Sequence, residues 1–241
     1  MKRLAIMQPY FFPYIGYFQL IQAVDQFVVY DNIQYAKKGW ITRNRYLEQG
    51  KDRLFSLPLG KGSDFLDVKD RVIAADFRKD KFLNRLREAY RRAPYFDQVF
   101  PLVENVVLQN ESNLFSYIHK SIRDTCDHLA IETEIVVSSS LPIDHSLRGK
   151  EKVFALCRHL AADVYVNSIG GRELYAPGDF STHGIELRFL RTKPFEYRQF
   201  DHEFVPWLSI IDVMMFNPLN AIQRCIATNY EFSHVQMEKN S

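Results

Sequence analysis

The sequence predicts an α/β fold with a mostly parallel, Rossmann-like sheet and a helical insertion spanning residues 77–130. Three observations predict it. Leu4–Met7 and Phe27–Tyr30 are short β-rich apolar runs separated by an apolar stretch of helical length, Phe18–Val24, which is the order of a βαβ unit. Glu134–Ser138, Asp163–Ser168 and Gly184–Leu190 repeat the strand pattern later in the chain, with a helical pattern around Val153–Leu160. Residues 77–130 between these groups read as helix. Right-handed crossovers set such strands side by side, and open α/β sheets bind ligands at their carboxyl edge. The chain has 241 residues, 46% of them hydrophobic, enough for a single α/β domain over 1–241 with 77–130 as an insertion or subdomain.

The stretch Met7–Arg45 carries the densest chemistry. Pro9 and Pro13 stiffen the loop after the first strand. Gly16 can open the following helix and let a ligand approach backbone N–H groups. Tyr14 and Tyr17 bring hydroxyls and flat faces, and Gln8 an amide. A loop that only turns does not need that load, although an aromatic plug on the sheet edge would also account for it. Asp31 ends the second strand at the ligand edge. It can bond a sugar hydroxyl, ligate Mg²⁺ or cap a turn. Lys37, Lys38, Arg43 and Arg45 surround Trp40, with Gln34, Tyr35 and Asn44 nearby. Cations interleaved with aromatics suit a phosphate plus a flat ring, as in a nucleotide or nucleotide sugar. They also describe an exposed loop with solvated charges. The net charge of +2 supplies no extended basic surface for nucleic acid. Gln8, Tyr14, Gly16, Tyr17, Asp31, Trp40, Arg43 and Asn44 are expected to face one cavity.

Farther along, Arg53–Leu57 is a β-like run stopped by Pro58, and Val68–Ile73 is another candidate strand. Gly60-Lys61-Gly62-Ser63 lacks P-loop spacing. Three helices follow. The first carries Phe82, Leu83, Leu86 and Tyr90 on one face, the second covers Phe96–Leu108, and the third starts at Ser112 as N-cap. His145 lies in a loop between a strand and a helix, so it is a candidate general base or a surface histidine. Adjacent Asp144-His145-Ser146 do not form a triad, whose members converge from separate segments. Ser168, Gly170 and Gly171 follow a strand and suit an anion nest or a plain turn. Trp207–Phe216 is apolar nearly all round and therefore buried, so Asp212 on it must be paired. It is a structural anchor or a functional acid, and its partner is expected in the Met7–Arg45 block. Cys126, Cys157 and Cys225 are far apart and read as small, reduced core residues. The seven histidines show no metal-binding spacing. The apolar part of the N-terminus is too short for a signal peptide, and no apolar run approaches the roughly 20 residues of a bilayer span. A cytoplasmic protein without membrane insertion is expected. The tail from Glu231 is polar and reads as frayed.

Four blocks, MQPYFFPYIGYFQLI (Met7–Ile21), DQFVVYDNIQY (Asp25–Tyr35), GWITRNR (Gly39–Arg45) and LSIIDVMMFN (Leu208–Asn217), resemble the WbqC-like family. The resemblance covers nearly the whole chain and implies a link to bacterial surface-polysaccharide gene clusters. The function it implies is an enzyme of lipopolysaccharide or O-antigen biosynthesis acting on a nucleotide-activated sugar, with acyl or aminoacyl transfer to an amino sugar as one form of group transfer. Tyr14-Ile15-Gly16-Tyr17 also resembles the H-x-G-H turn of nucleotidylyltransferases. Tyrosines replace both imidazoles that would stabilise charge on a transferring phosphate. A non-catalytic binding or assembly protein of the polysaccharide machinery is the third reading. The residues specify no cofactor and no oligomeric state.

Overall fold

The structure, a computed structural model, describes residues 1–176 and 178–234. In chain order it places β1 (Arg3–Met7), α1 (Ile15–Gln22), β2 (Gln26–Val29), β3 (Arg43–Glu48), β4 (Lys51–Ser56), α2 (Lys79–Tyr90), α3 (Phe96–Leu108) and α4 (Leu114–His128). There follow β5 (Glu134–Val137), α5 (Gly149–His159), β6 (Val164–Ser168), α6 (Gly178–Ser181), β7 (Glu186–Thr192), α7 (Ile210–Phe216), α8 (Leu219–Thr228) and β8 (Tyr230–His234). Six strands form one sheet in the order β5-β2-β1-β6-β7-β8. The first five are parallel, and β8 runs antiparallel along the edge of β7.

Alternating strand residues explain why this sheet is covered on both faces. Ala5, Phe27, Val29, Val164, Val166 and Leu190 point into a core with α1, α2, α3, α4, α7 and α8. Leu4, Ile6, Val28, Tyr165, Leu187 and Phe189 point the other way, onto α5 and Phe180 of α6. The three helices of residues 79–128 therefore share one apolar core with the helices beside the sheet.

Several local expectations differ from the structure. Residues 43–56 form an antiparallel hairpin, β3–β4, closed by Gln49 (φ 51°) and Gly50 (φ 73°). Two left-handed residues in a two-residue loop match the twist of paired strands. Arg43, Asn44 and Arg45 thus sit on a strand. Val68–Asp70 is a 3₁₀ turn instead of a strand. The N-cap of α4 is Asn113, whose Oδ1 accepts from Ser116 N at 3.0 Å. Glu231–His234, read as frayed tail, belong to β8, while the tail from 235 lies outside the described residues. All three cysteines are free and buried, and burial pushes Cys126 and Cys157 up to about 12 and Cys225 up to about 11. They remain thiols, because burial outweighs even the pull of Arg123 on Cys126. Among the described residues no helix is long and apolar enough to cross a membrane.

A candidate ligand cavity at the switch point of the sheet

From β1 the chain crosses through α1 to β2 on one side, and from β5 it crosses through α5 to β6 on the other. Crossovers that part in this way leave a crevice beyond the carboxyl ends of β1 and β6. A cavity of about 540 Å³ occupies it. Gln8, Pro9, Tyr10, Tyr14, Gly16 and Tyr17 contribute one wall, from the loop after β1 and the start of α1. Asn167, Ser168, Gly170 and Gly171 follow β6, Gly149 and Lys150 open α5, and Trp40 and Tyr30 close the remaining sides. Neither α1 nor α5 has a side-chain N-cap. Two helix N-termini thus present backbone donors and their positive dipole ends to one space.

The loop after β1 is held, not merely stiff. Phe12 has φ 42°, a left-handed conformation costly for a bulky residue. Its carbonyl accepts from Asn44 Nδ2 at 2.5 Å and from Ser209 Oγ at 2.8 Å. Phe11 N donates to Ile41 O at 3.0 Å, and the Tyr17 hydroxyl to Gln8 O at 3.0 Å. Phe11 and Phe12 are fully buried in the core, while Tyr10 and Tyr14 keep a face on the cavity. The aromatic run therefore serves as plug and as wall at once. Gly16 is required by close approach: a Cβ there would lie 2.4 Å from Thr192 Oγ1 and 2.4 Å from Tyr14 Cε2.

The cavity is rich in neutral hydroxyls. Burial pushes the Tyr30 phenol up to about 12. Burial and neighbouring Tyr14 raise Tyr10, against the pull of Arg45 and Arg43. Burial also raises Tyr14, opposed by a hydrogen bond from Thr192. All three remain donors at neutral pH. The Lys150 ammonium pairs with Asp179 at 2.8 Å. Lys152 is fully buried just behind the wall, with Nζ 5.2 Å from the Tyr30 ring centroid and 3.4 Å from Asn32 O, and burial lowers its pKa.

Of the residues singled out in the sequence, Gln8, Tyr14, Gly16, Tyr17, Trp40, Ser168, Gly170 and Gly171 come together here. Gly170 and Gly171 lie in a 3₁₀ turn, Ile169–Leu174, without the left-handed residue an anion nest uses. Gly171 is small because a Cβ would meet Asn167 Nδ2 at 2.5 Å. Asp31, Gln34, Arg43 and Asn44 do not line the cavity. Asp31 is buried and accepts from Ser138 Oγ at 2.7 Å and Ser139 N at 2.9 Å, which ties β2 to the turn after β5. Gln34 bonds Asp64 O at 3.1 Å. Asn44 clamps Phe12, as described. The Arg43 guanidinium bonds the Lys38 carbonyl and lies 5.3 Å from the Trp40 ring centroid.

Neither acid–base candidate reaches the cavity. His145 Nδ1 accepts from Asn32 Nδ2 at 2.9 Å and Nε2 donates to Leu141 O at 3.0 Å, so both ring nitrogens are engaged in holding a loop. Asp212 is fully buried, and its carboxylate accepts from Tyr197 Oη at 2.6 Å, Gln199 Nε2 at 2.8 Å and Tyr90 Oη at 2.9 Å. The expectation that the Met7–Arg45 block would supply its partner fails for a chemical reason. The block meets this helix with carbonyls: Phe12 O takes the Ser209 hydroxyl and Pro13 O takes Ile210 N at 2.8 Å. A carboxylate needs donors and finds them elsewhere.

Tyr30, Asn167 and Tyr175 complete the cavity wall beyond the residues that the sequence marks. Tyr30 had a signal, its place at a strand end. Tyr175 follows an irregular turn and has none.

Arg43 acts on the cavity through Trp40. Arg43→Lys is expected to lower ligand affinity about threefold to tenfold, as the cation–π contact that fixes the indole weakens, with stability changed by under ~1 kcal/mol. Titration and a melting curve on the purified variant check this. Unchanged affinity would leave Arg43 without a role in binding.

Fold and cavity together define a Rossmann-like α/β protein with a crevice at the switch point of its mostly parallel sheet. The chain belongs to the WbqC-like protein family, whose model matches residues 8–224. It is 28% identical over 223 residues to an uncharacterized protein of Mycobacterium tuberculosis, covering 90% of this chain and 94% of that one. No solved structure matches it.

Proposed function

We propose that this protein is a cytoplasmic group transferase of bacterial surface-polysaccharide biosynthesis that binds a nucleotide-activated sugar in the switch-point cavity. The observation that carries the reading is the convergence of two uncapped helix N-termini on an aromatic-walled space of about 540 Å³. The N–H groups suit a pyrophosphate, and Trp40 and the tyrosines suit a flat base and a sugar face. The volume lies within the range of pockets that take small ligands, ~300–1,000 Å³. The polysaccharide context is what the resemblance of the four sequence blocks implies. A second reading, a binding or assembly protein, is favoured by the engagement of His145 and Asp212 in structural hydrogen bonds. The nucleotidylyltransferase reading gains nothing from Tyr17, whose hydroxyl is spent on the Gln8 carbonyl.

The test is a thermal-shift series with nucleotides, nucleotide sugars and acyl-CoAs on the wild type and Trp40→Ala. A ligand at about 100 times its Kd adds about 2.7 kcal/mol, or roughly 5–10 °C in Tm. A nucleotide sugar is expected to shift the wild type and to shift Trp40→Ala much less. Absence of any shift, or one preserved in the variant, removes this reading. A shift without turnover over a panel of acceptors selects the binding protein.

A further inference from the structure

A second cavity, of about 350 Å³, lies beyond the carboxyl end of β7. Its walls are Pro194, Phe195, Tyr197, Phe204, Pro206 and Trp207. Tyr14 lines both cavities, so they share one wall. At that wall Thr192 and Tyr14 lie side by side, since a Cβ on Gly16 would meet Thr192 Oγ1 and Tyr14 Cε2, each at 2.4 Å.

The far side is built to stay in place. Trp207 is half-exposed yet held at φ 59°, where a bulky residue is strained. Arg45 Nη2 grips its carbonyl at 3.1 Å, and its ring stands edge-on to Tyr14 at 6.3 Å. Tyr197 is fixed from behind by its 2.6 Å bond to Asp212 and packs edge-on against Phe204 at 5.1 Å. Buried Asp212, which the first cavity does not use, thus orders a wall of the second.

We propose that this cavity is a second small-molecule subsite, which takes a flat, largely apolar ring carrying one polar substituent that meets the Tyr14 and Thr192 hydroxyls. Aromatic rings set edge and face around a space favour another ring, at about 0.5–1.5 kcal/mol per pair beyond area burial. The two charged residues of the lining, Lys193 and Glu196, are both exposed, and Lys193 pairs with Glu231 at 3.7 Å. A hydroxylated sugar would bury hydroxyls against Phe195, Phe204 and the prolines without partners. A flexible chain would lose rotamer freedom that a ring does not have. The inference rests on the function proposed above only for the identity of the neighbour across Tyr14. The protein then holds two ligands with one tyrosine ring between them.

The chain has two tryptophans, Trp40 on the first cavity and Trp207 on the second, so each can report alone. In Trp40→Phe, Trp207 emission is followed during titration with benzyl alcohol, hexanol and glucose. A saturable change is expected with benzyl alcohol, a weaker one with hexanol and none with glucose. Adding Phe204→Ala, or Thr192→Val, should weaken benzyl alcohol about tenfold, and two variants guard against one that fails to fold. No saturable response to benzyl alcohol overturns the proposal. So does hexanol or glucose binding as well as benzyl alcohol, or affinity unchanged in both variants. Trp207→Phe, titrated with a nucleotide sugar and read through Trp40, tests the first cavity separately. A silent Trp40 beside a responsive Trp207 overturns the nucleotide-sugar reading alone, and the reverse overturns the second subsite alone.

Discussion

Replacing Asp212 with Ala is expected to lower stability by roughly 2–4 kcal/mol, a fall in Tm of roughly 5–15 °C. Three buried donors converge on this carboxylate. Without it the Gln199 amide keeps Val205 O at 3.1 Å, and Tyr90 Oη still accepts from Leu47 N at 2.9 Å. The hydroxyl protons of Tyr90 and Tyr197 lose their acceptor in a dry core. An orphaned buried donor costs about 1–3 kcal/mol, and relief of the desolvated charge returns part of the sum. Asp212→Asn tests the charge. One face of an asparagine still accepts, but its NH₂ confronts hydroxyls that were donating, so Tyr90 or Tyr197 must turn.

The same residue gives stability a pH dependence of definite sign. Burial pushes Asp212 up to about 6, against three hydrogen bonds that pull it down. An ordinary carboxyl in the unfolded chain titrates near 3.8. Between these values the folded state binds the extra proton, so the contribution of Asp212 is greatest below about pH 4 and falls as pH rises through 6. Two pKa units correspond to about 3 kcal/mol. Relative to Asp212→Asn, the wild type should therefore lose up to about 3 kcal/mol between pH 4 and pH 7. Denaturant melts at both pH values check this, and a constant difference would mean that the carboxylate titrates alike in both states.

Asp212 also shows where sequence reading stops. Its burial was legible, because α7 carries apolar residues on every side and a helix of that kind has to be covered. Its partners were not, because Tyr90 lies 122 residues away and Tyr197 sits in an irregular segment. Periodicity places a residue on a face without saying what that face meets. The central strands β1, β2 and β6 were legible for the same reason that they are central: buried on both sides, they are mainly apolar. The β3–β4 hairpin was legible only in part of its second strand because RNRYLE and KDRLFS each carry charge at half of their positions, and β8 was hidden because a polar edge strand resembles a tail. In the site, Gly16 and Tyr14 could be chosen by chemistry and position after β1. Arg43 and Asn44 carry the same chemistry but lie on a strand, which turns Asn44 to a backbone clamp and Arg43 to a support for Trp40. The second cavity drew no attention because residues 193–207 form no regular element that a pattern could mark.

Gly16→Ala is expected to cost at least tenfold in ligand affinity at both cavities, although alanine is the better helix former by about 1 kcal/mol. The added methyl would lie 2.4 Å from Thr192 Oγ1 on one side, and 2.4 and 2.6 Å from Tyr14 Cε2 and Cζ on the other. No real contact is that short, so either α1 retreats from β7 or the Tyr14 ring swings out. The first route strains a core already packed to density, at roughly 1–3 kcal/mol and a Tm loss of roughly 2–12 °C. The second opens the wall between the cavities and takes Tyr14 away from Thr192. A double-mutant cycle separates the routes. If the ring is the obstacle, Tyr14→Ala relieves Gly16→Ala, and the double variant is more stable than the sum of the two single losses predicts. If the two losses add, Thr192 and the α1–β7 approach are what demand the glycine, and Gly16→Ala combined with Thr192→Ala, which removes Oγ1, should then leave more room for the methyl than Gly16→Ala alone. Affinity of Gly16→Ala equal to wild type at both cavities would show that Tyr14 is not the wall between them.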